Sequence, residues 1–225
     1  MEIEYSEYNK IKIEVEDFVN QITNDESLKK ILEKHYKGTQ ILFSPLYNKP
    51  HIMLIGINPG AGYNKNEDKN VKRFNPMKFM EYVGGGYMLA RQTRKLFELS
   101  GLTISDLKNS VKTNCFFIAT TNAKELDALL KNLEKYNIRT KSQKWINSLI
   151  EIVEPKLIIC EGKKAFKELI KDENFQFTSK KGPYFTTLNS IPVIGYDRKF
   201  SVIKEKEQVA KLINEKLKEK ELATL

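Results

Sequence analysis

The residues with the clearest chemical potential form the run Gly56-Ile57-Asn58-Pro59-Gly60, which follows the apolar stretch from His51 to Ile55. An apolar run that stops at such a turn reads as a buried parallel strand with Asn58 at its carboxyl end, where ligands bind in open α/β sheets. Pro59 fixes its own φ and biases Asn58 towards an extended backbone, while Gly60 accepts conformations that a Cβ forbids. The side chain so presented is an amide, which both donates and accepts hydrogen bonds. It suits orienting a water molecule or reading the edge of a base.

Two further segments end in the same manner, Thr120-Thr121-Asn122 and Gly195-Tyr196-Asp197-Arg198. In a parallel sheet these ends share one edge, which predicts a pocket holding Asn58, Asn122, Asp197 and Arg198 with Tyr63, Phe74 and Tyr196 nearby. Amides read the edge of a flat heterocycle, an aromatic ring stacks on its face, and cations hold a phosphate. Lys72, Arg73, Arg91, Arg94, Lys199 and Ser201 are the candidate phosphate contacts beside Arg198. Blander roles compete: Asn122 precedes a helix and suits its N-cap, and Asp197-Arg198 suits a surface turn. His35 and His51 read as structural.

The elements that must position these groups follow from periodicity. Tyr8, Ile11, Val15, Phe18 and Ile22 predict a helix over 7–22. A second helix, capped by Asn24 or Asp25, ends at Lys37, so residues 1–37 form an N-terminal helical extension. Strands are predicted over 51–57, 114–120, 156–160, 184–188 and 191–196. Helices are predicted over 87–99, 124–136, 142–153 and 163–170, with a closing amphipathic helix over 202–220. Residues 60–86 read as a long polar loop ending in Gly84-Gly85-Gly86, a hinge ahead of a helix. The alternation predicts a single α/β domain over 1–225, three-layer α/β/α with a mostly parallel four-stranded central sheet.

Composition bounds the function. The 225 residues are 40% hydrophobic and 30% charged, enough for one well-filled domain. A net charge of +9 favours a polyanionic partner, DNA or a free nucleotide, although much of the excess is spread along helices such as the one over 204–220, where Lys and Glu alternate. No apolar stretch approaches the 18 residues of a membrane span, and Met1-Glu2-Ile3-Glu4 lacks a signal-peptide layout. Cys115 and Cys160, each inside an apolar run, fit a reducing compartment and provide no metal-ligand set. A cytoplasmic monomer without metal or cofactor is the expectation.

The pentapeptide Gly56-Ile57-Asn58-Pro59-Gly60 resembles the first motif of the uracil-DNA glycosylase superfamily, in its mismatch-specific branch. Thr113 to Asn122 is similar to the family's second strand, and Trp145 to Leu169 to its helix, Pro-x-hydrophobic strand, Gly turn and helix. The likeness covers roughly residues 38–200. It implies that Asn58 positions water, that the backbone at Gly56 and Ile57 lies near the base, that Asn122 reads the pyrimidine edge and that Phe74 or Tyr63 stacks. The family's second motif, with its Pro-Ser and usually a His, is replaced by Gly195-Tyr196-Asp197-Arg198-Lys199-Phe200-Ser201. There Arg198 or Lys199 would supply the missing cation, and Asp197 would stabilise the sugar cation or take a proton from water. The implied function is a DNA glycosylase-like enzyme that flips out a uracil-like or modified base and hydrolyses its N-glycosidic bond. The alternatives are a catalytically inactive binder using the same pocket, and a hydrolase of free nucleosides or nucleotides.

Overall fold

Three short apolar runs, Ile52–Gly56, Leu157–Cys160 and Ile191–Gly195, form the middle of the main sheet, and two more polar strands form its edges. The computed structural model describes residues 2–60, 71–171, 175, 177 and 182–222. In chain order the elements are α1 (Glu2–Thr23), α2 (Lys29–His35), β1 (Gly38–Gln40), β2 (Ile52–Gly56), β3 (Val71–Arg73), α3 (Glu81–Gly84), α4 (Met88–Leu99), α5 (Ile104–Lys108) and β4 (Val111–Asn114). They continue with α6 (Ala123–Leu133), α7 (Ile138–Val153), β5 (Leu157–Cys160), α8 (Lys163–Ile170), β6 (Tyr184–Leu188), β7 (Ile191–Gly195), β8 (Arg198–Lys199), β9 (Val202–Ile203) and α9 (Lys206–Leu222). No helix among the described residues is long and apolar enough to cross a membrane.

The fold is α/β, with a central sheet of order β4-β2-β5-β7-β6. β2, β5 and β7 run parallel, pairing Ile55 with Cys160 and Cys160 with Gly195. The sheet is mixed and five-stranded rather than four-stranded, because β6 folds back antiparallel onto β7. The cause is local: Asn189 and Ser190 both take left-handed φ, 48° and 64°, which makes the two-residue turn that suits a tight hairpin.

Two other elements differ from the sequence expectation. β4 ends at Asn114, and residues 115–120 leave the regular ladder. Their backbone bonds instead to the segment around β1, with Gln40 N donating to Phe117 O and Ala119 N to Gly38 O, both near 2.9 Å (2.9 and 2.8 Å). The closing helix begins at Lys206 because residues 198–203 form the hairpin β8–β9, turned by Phe200 and Ser201 at φ 48° and 71°.

The chain condenses into two compact units, each assembled from three separate segments. One comprises 1–42, 57–76 and 114–152; the other comprises 43–56, 77–113 and 153–225. In the first, Phe18 packs edge-on against Trp145, which also stacks on Phe117. Trp145 donates its indole N–H to Glu14 at 2.9 Å, tying α7 to α1. In the second, Ile52, Leu54, Leu157, Ile159 and Ile194 share one sheet face with Ala90, Leu96 and Phe97 of α4 and Val209, Ala210 and Ile213 of α9. α8 covers the opposite face, where a Cβ on Gly195 would stand 2.5 Å from the Phe166 ring. Only glycine fits that crossing.

Candidate functional site

In the first unit the side chain of Asn58, half-buried two residues beyond β2, is fixed by its own neighbours. Its Nδ2 donates to Pro59 O at 3.0 Å, to Ile118 O at 3.3 Å and to Thr120 Oγ1 at 2.9 Å. Two of these acceptors are carbonyls, which cannot donate, so the NH2 end must face them and the amide has one orientation. Its Oδ1 accepts no hydrogen bond among the described residues. The same turn is bound along its backbone: Phe116 N donates to Ile57 O at 3.0 Å and Thr120 N to Pro59 O at 3.3 Å.

Asn122 has a different occupation. Its Oδ1 accepts from the backbone N–H of Lys124 and of Glu125, both at 3.0 Å, and its Nδ2 donates to Glu125 Oε1 at 3.3 Å. This is the N-cap of α6, and it leaves an exposed side chain with its polar atoms committed locally. The sequence placed the base-reading amide there, whereas the amide in this stretch with an unused donor is Asn114. Asn114, the last residue of β4, is 3% exposed, and its Nδ2 has no partner among the described residues. A signal for it existed, since an Asn inside the strand-like run Thr113 to Ile118 has to satisfy an amide in an apolar setting.

Of the other predicted groups in this unit, Phe74 is half-buried and its carbonyl accepts the Tyr8 hydroxyl at 2.6 Å. Lys72 and Arg73 are exposed on β3. Tyr63 lies outside the described residues. Ile57 is 8% exposed, and Gly56, which ends β2, belongs to the second unit.

The second unit holds Tyr196, Asp197, Arg198, Lys199, Ser201, Arg91 and Arg94. Tyr196 was expected to offer a stacking face, but it is wholly buried against Tyr82, Ile194 and α9. Two residues beyond Ile194 on the same strand line, it keeps facing the core. Arg94 was expected to grip phosphate, but its guanidinium donates to the carbonyls of Tyr82 and Gly85. Within Gly84-Gly85-Gly86 only the middle position is tightly packed: a Cβ on Gly85 would meet Tyr87 and the Glu81 carbonyl at 2.8 and 2.9 Å, while one on Gly84 or Gly86 would meet nothing within 4 Å. Asp197 Oδ1 accepts the backbone N–H of Arg198 at 2.9 Å, a turn contact. Arg198 and Ser201 are half-buried, and Arg91 and Lys199 are exposed.

Sequence reasoning passed over the polar cluster of this unit. Glu161, the first residue after β5, is 2% exposed. The Tyr82 hydroxyl donates to it, 2.7 and 2.9 Å from its two oxygens. Burial first, and then the Glu161 carboxylate, push that hydroxyl well above the ordinary tyrosine range, so it stays protonated and keeps donating. Lys112 Nζ lies 3.0 Å from Glu81 and 3.9 Å from Glu161, over the rings of Phe43 and Tyr82 at 4.3 and 4.7 Å. One ammonium thus faces two carboxylates behind aromatic walls. The hint was Glu161 itself, a carboxylate directly following Leu157-Ile158-Ile159-Cys160. The register that pairs Cys160 with Gly195 makes Glu161 and Tyr196 the next residues of neighbouring strands.

The Tyr196 hydroxyl has no hydrogen-bond partner among the described residues. Tyr196→Phe is therefore expected to raise stability by about 1 kcal/mol, the lower end of the cost of a buried unsatisfied group. A urea midpoint that falls instead would reveal a partner for the hydroxyl.

No group of three or more His, Cys, Asp or Glu side chains suited to a metal ion occurs among the described residues. Compared with known proteins, the chain matches no family model and no curated protein.

Proposed function

We propose that the protein is a DNA glycosylase-like enzyme that takes a uracil-like or modified base out of the stack and hydrolyses its N-glycosidic bond. The observation that supports this reading is the fixed polarity of Asn58, whose NH2 end is bound by the protein and whose Oδ1 accepts no hydrogen bond among the described residues. A lone acceptor of set direction orients a water molecule, and cleavage through an oxocarbenium-like sugar requires an oriented nucleophile more than a strong base. In this proposal Asn114, whose buried Nδ2 has no partner among the described residues, is the second amide assigned to the base, its N–H reading the edge and stabilising the departing anion once the base displaces the side chains that cover it. Phe74 is the stacking candidate. The test is release of uracil and of modified bases from labelled single- and double-stranded oligonucleotides, with Asn114→Ala expected to lose the activity.

A second reading, a binder of a base or nucleotide without turnover, is favoured by one feature. Residues 195–201 carry no His or Pro, and their Asp197 carboxylate accepts its neighbour's backbone N–H. Tight nucleotide binding with no base released from any substrate selects this reading.

DNA as the partner carries its own expectation. Affinity falls linearly in a log–log salt plot, with a slope of about −0.9 for each phosphate neutralised. Lys72→Ala and Arg73→Ala, both on exposed β3 positions, each reduce that slope by about one. Binding indifferent to salt selects a free nucleoside or nucleotide as the substrate.

A further inference from the structure

We infer that Thr120 is a positioning residue for Asn58, acting through a hydrogen-bond chain that runs in one direction only; its importance for turnover rests on the proposed hydrolase, its effect on Asn58 does not. Thr120 is 1% exposed and lies on the irregular segment that follows β4. Its hydroxyl has two partners, Asn58 Nδ2 and Asn122 O, each at 2.9 Å. A hydroxyl has one proton, and a carbonyl oxygen can only accept. The proton therefore goes to Asn122 O, and the hydroxyl oxygen is left to accept from Asn58. Reversing any link would set an acceptor against an acceptor.

The anchor of this chain is the end of a helix. Asn122 O also accepts Leu126 N–H at 3.1 Å, the first turn of α6, whose N-terminus the Asn122 side chain caps. Thr120 is further held by the parallel bridge to Gly60, with its own N–H on Pro59 O. The two carbonyls set the polarity of the Asn58 amide, and the buried hydroxyl ties its position to a point in the backbone that cannot rotate. The contacts to Pro59 O and Ile118 O, at 3.0 and 3.3 Å, share the remaining N–H capacity. Without the hydroxyl, Asn58 keeps only those two, one of them to its own neighbour in sequence.

The chemical requirement is specific. Valine has the shape of threonine and lacks the acceptor; serine keeps the acceptor and loses a methyl group. Thr120→Val is expected to lower kcat for base release by about 10²-fold, the scale of a reacting group misplaced by an ångström, with KM little changed. Thr120→Ser is expected to restore most of that loss. The readout independent of turnover is the Asn58 side-chain NH2 pair in 15N-labelled protein, assigned by its absence in Asn58→Ala. In Thr120→Val the pair should shift and exchange faster with solvent, and in Thr120→Ser it should return towards the native position. An Asn58 NH2 pair unchanged in Thr120→Val overturns the inference, whatever happens to activity. A shifted pair in a protein that releases no base sustains the positioning role and removes the hydrolase reading. Should Thr120→Val fail to fold, Thr120→Cys, of similar size and a weak acceptor, is read by the same two measurements.

Discussion

Asn58→Ala is expected to lower the rate of base release by about 10²–10³-fold, the loss seen when one preorganised transition-state group is removed. Binding of the same oligonucleotide should change little, because an amide that holds water contributes to the transition state and hardly to the ground state. Single-turnover release of base from labelled DNA measures the first quantity, and fluorescence anisotropy the second. Equal losses in both would assign Asn58 to recognition, and an active variant would remove it from the site. Asn58→Asp is a sharper probe than its size suggests. It keeps the free acceptor but turns a carboxylate oxygen towards Pro59 O and Ile118 O, where the native residue donates. It should therefore be as inactive as the alanine variant, although a carboxylate is the stronger base.

The largest expected effect on stability comes from Lys112. Lys112→Met keeps the length of the stem between Phe43 and Tyr82 but leaves Glu81 and Glu161 without their shared cation. Breaking a buried ion pair from one side costs about 3–5 kcal/mol, because the partner charge remains buried. Urea denaturation measures it. Lys112→Met combined with Glu161→Gln should be less destabilised than the sum of the two single variants, since the pair removed together leaves less uncompensated charge. Additive losses would show that Lys112 acts through its stem alone.

Four strands of the central sheet, β2, β5, β6 and β7, and most helices could be read from the chain because they depend on local pattern. β1, β3, β8 and β9 were not foreseen, and the expected strand 114–120 meets β4 only at Asn114. Lys163–Ile170 and Ile191–Gly195 lie within the predicted spans, and β2 begins one residue after the predicted start. The site was legible to the extent that backbone chemistry dictated it: Pro59 and Gly60 mark the turn that holds Asn58. What could not be read depended on partners far away in sequence. Whether Asn122 or Asn114 had an unpaired amide is decided by hydrogen bonds, and the two flank the same apolar run, Cys115 to Ala119. Tyr196 and Arg94 looked available because nothing local says that a core surrounds the first or that two carbonyls, at Tyr82 and Gly85, occupy the second. Glu161 and Lys112 escaped for the complementary reason. Isolated charges in apolar runs disturb a periodic pattern only slightly, and only the tertiary structure brings them to one place. The five-stranded sheet turned on a single local detail, the left-handed pair Asn189-Ser190, which a turn assignment identifies but a strand direction does not.

Each of the two units draws on three stretches that alternate with those of the other along the chain. No continuous piece of the gene therefore encodes either unit, and neither can be exchanged between proteins as a cassette. Recombination at any single junction would deliver fragments of both. Closing such units also requires distant stretches to find one another, and loop-closure entropy grows with the length of the intervening chain. During synthesis neither unit is complete before residue 152 has left the ribosome, and the second waits for the final segment, which begins at 153.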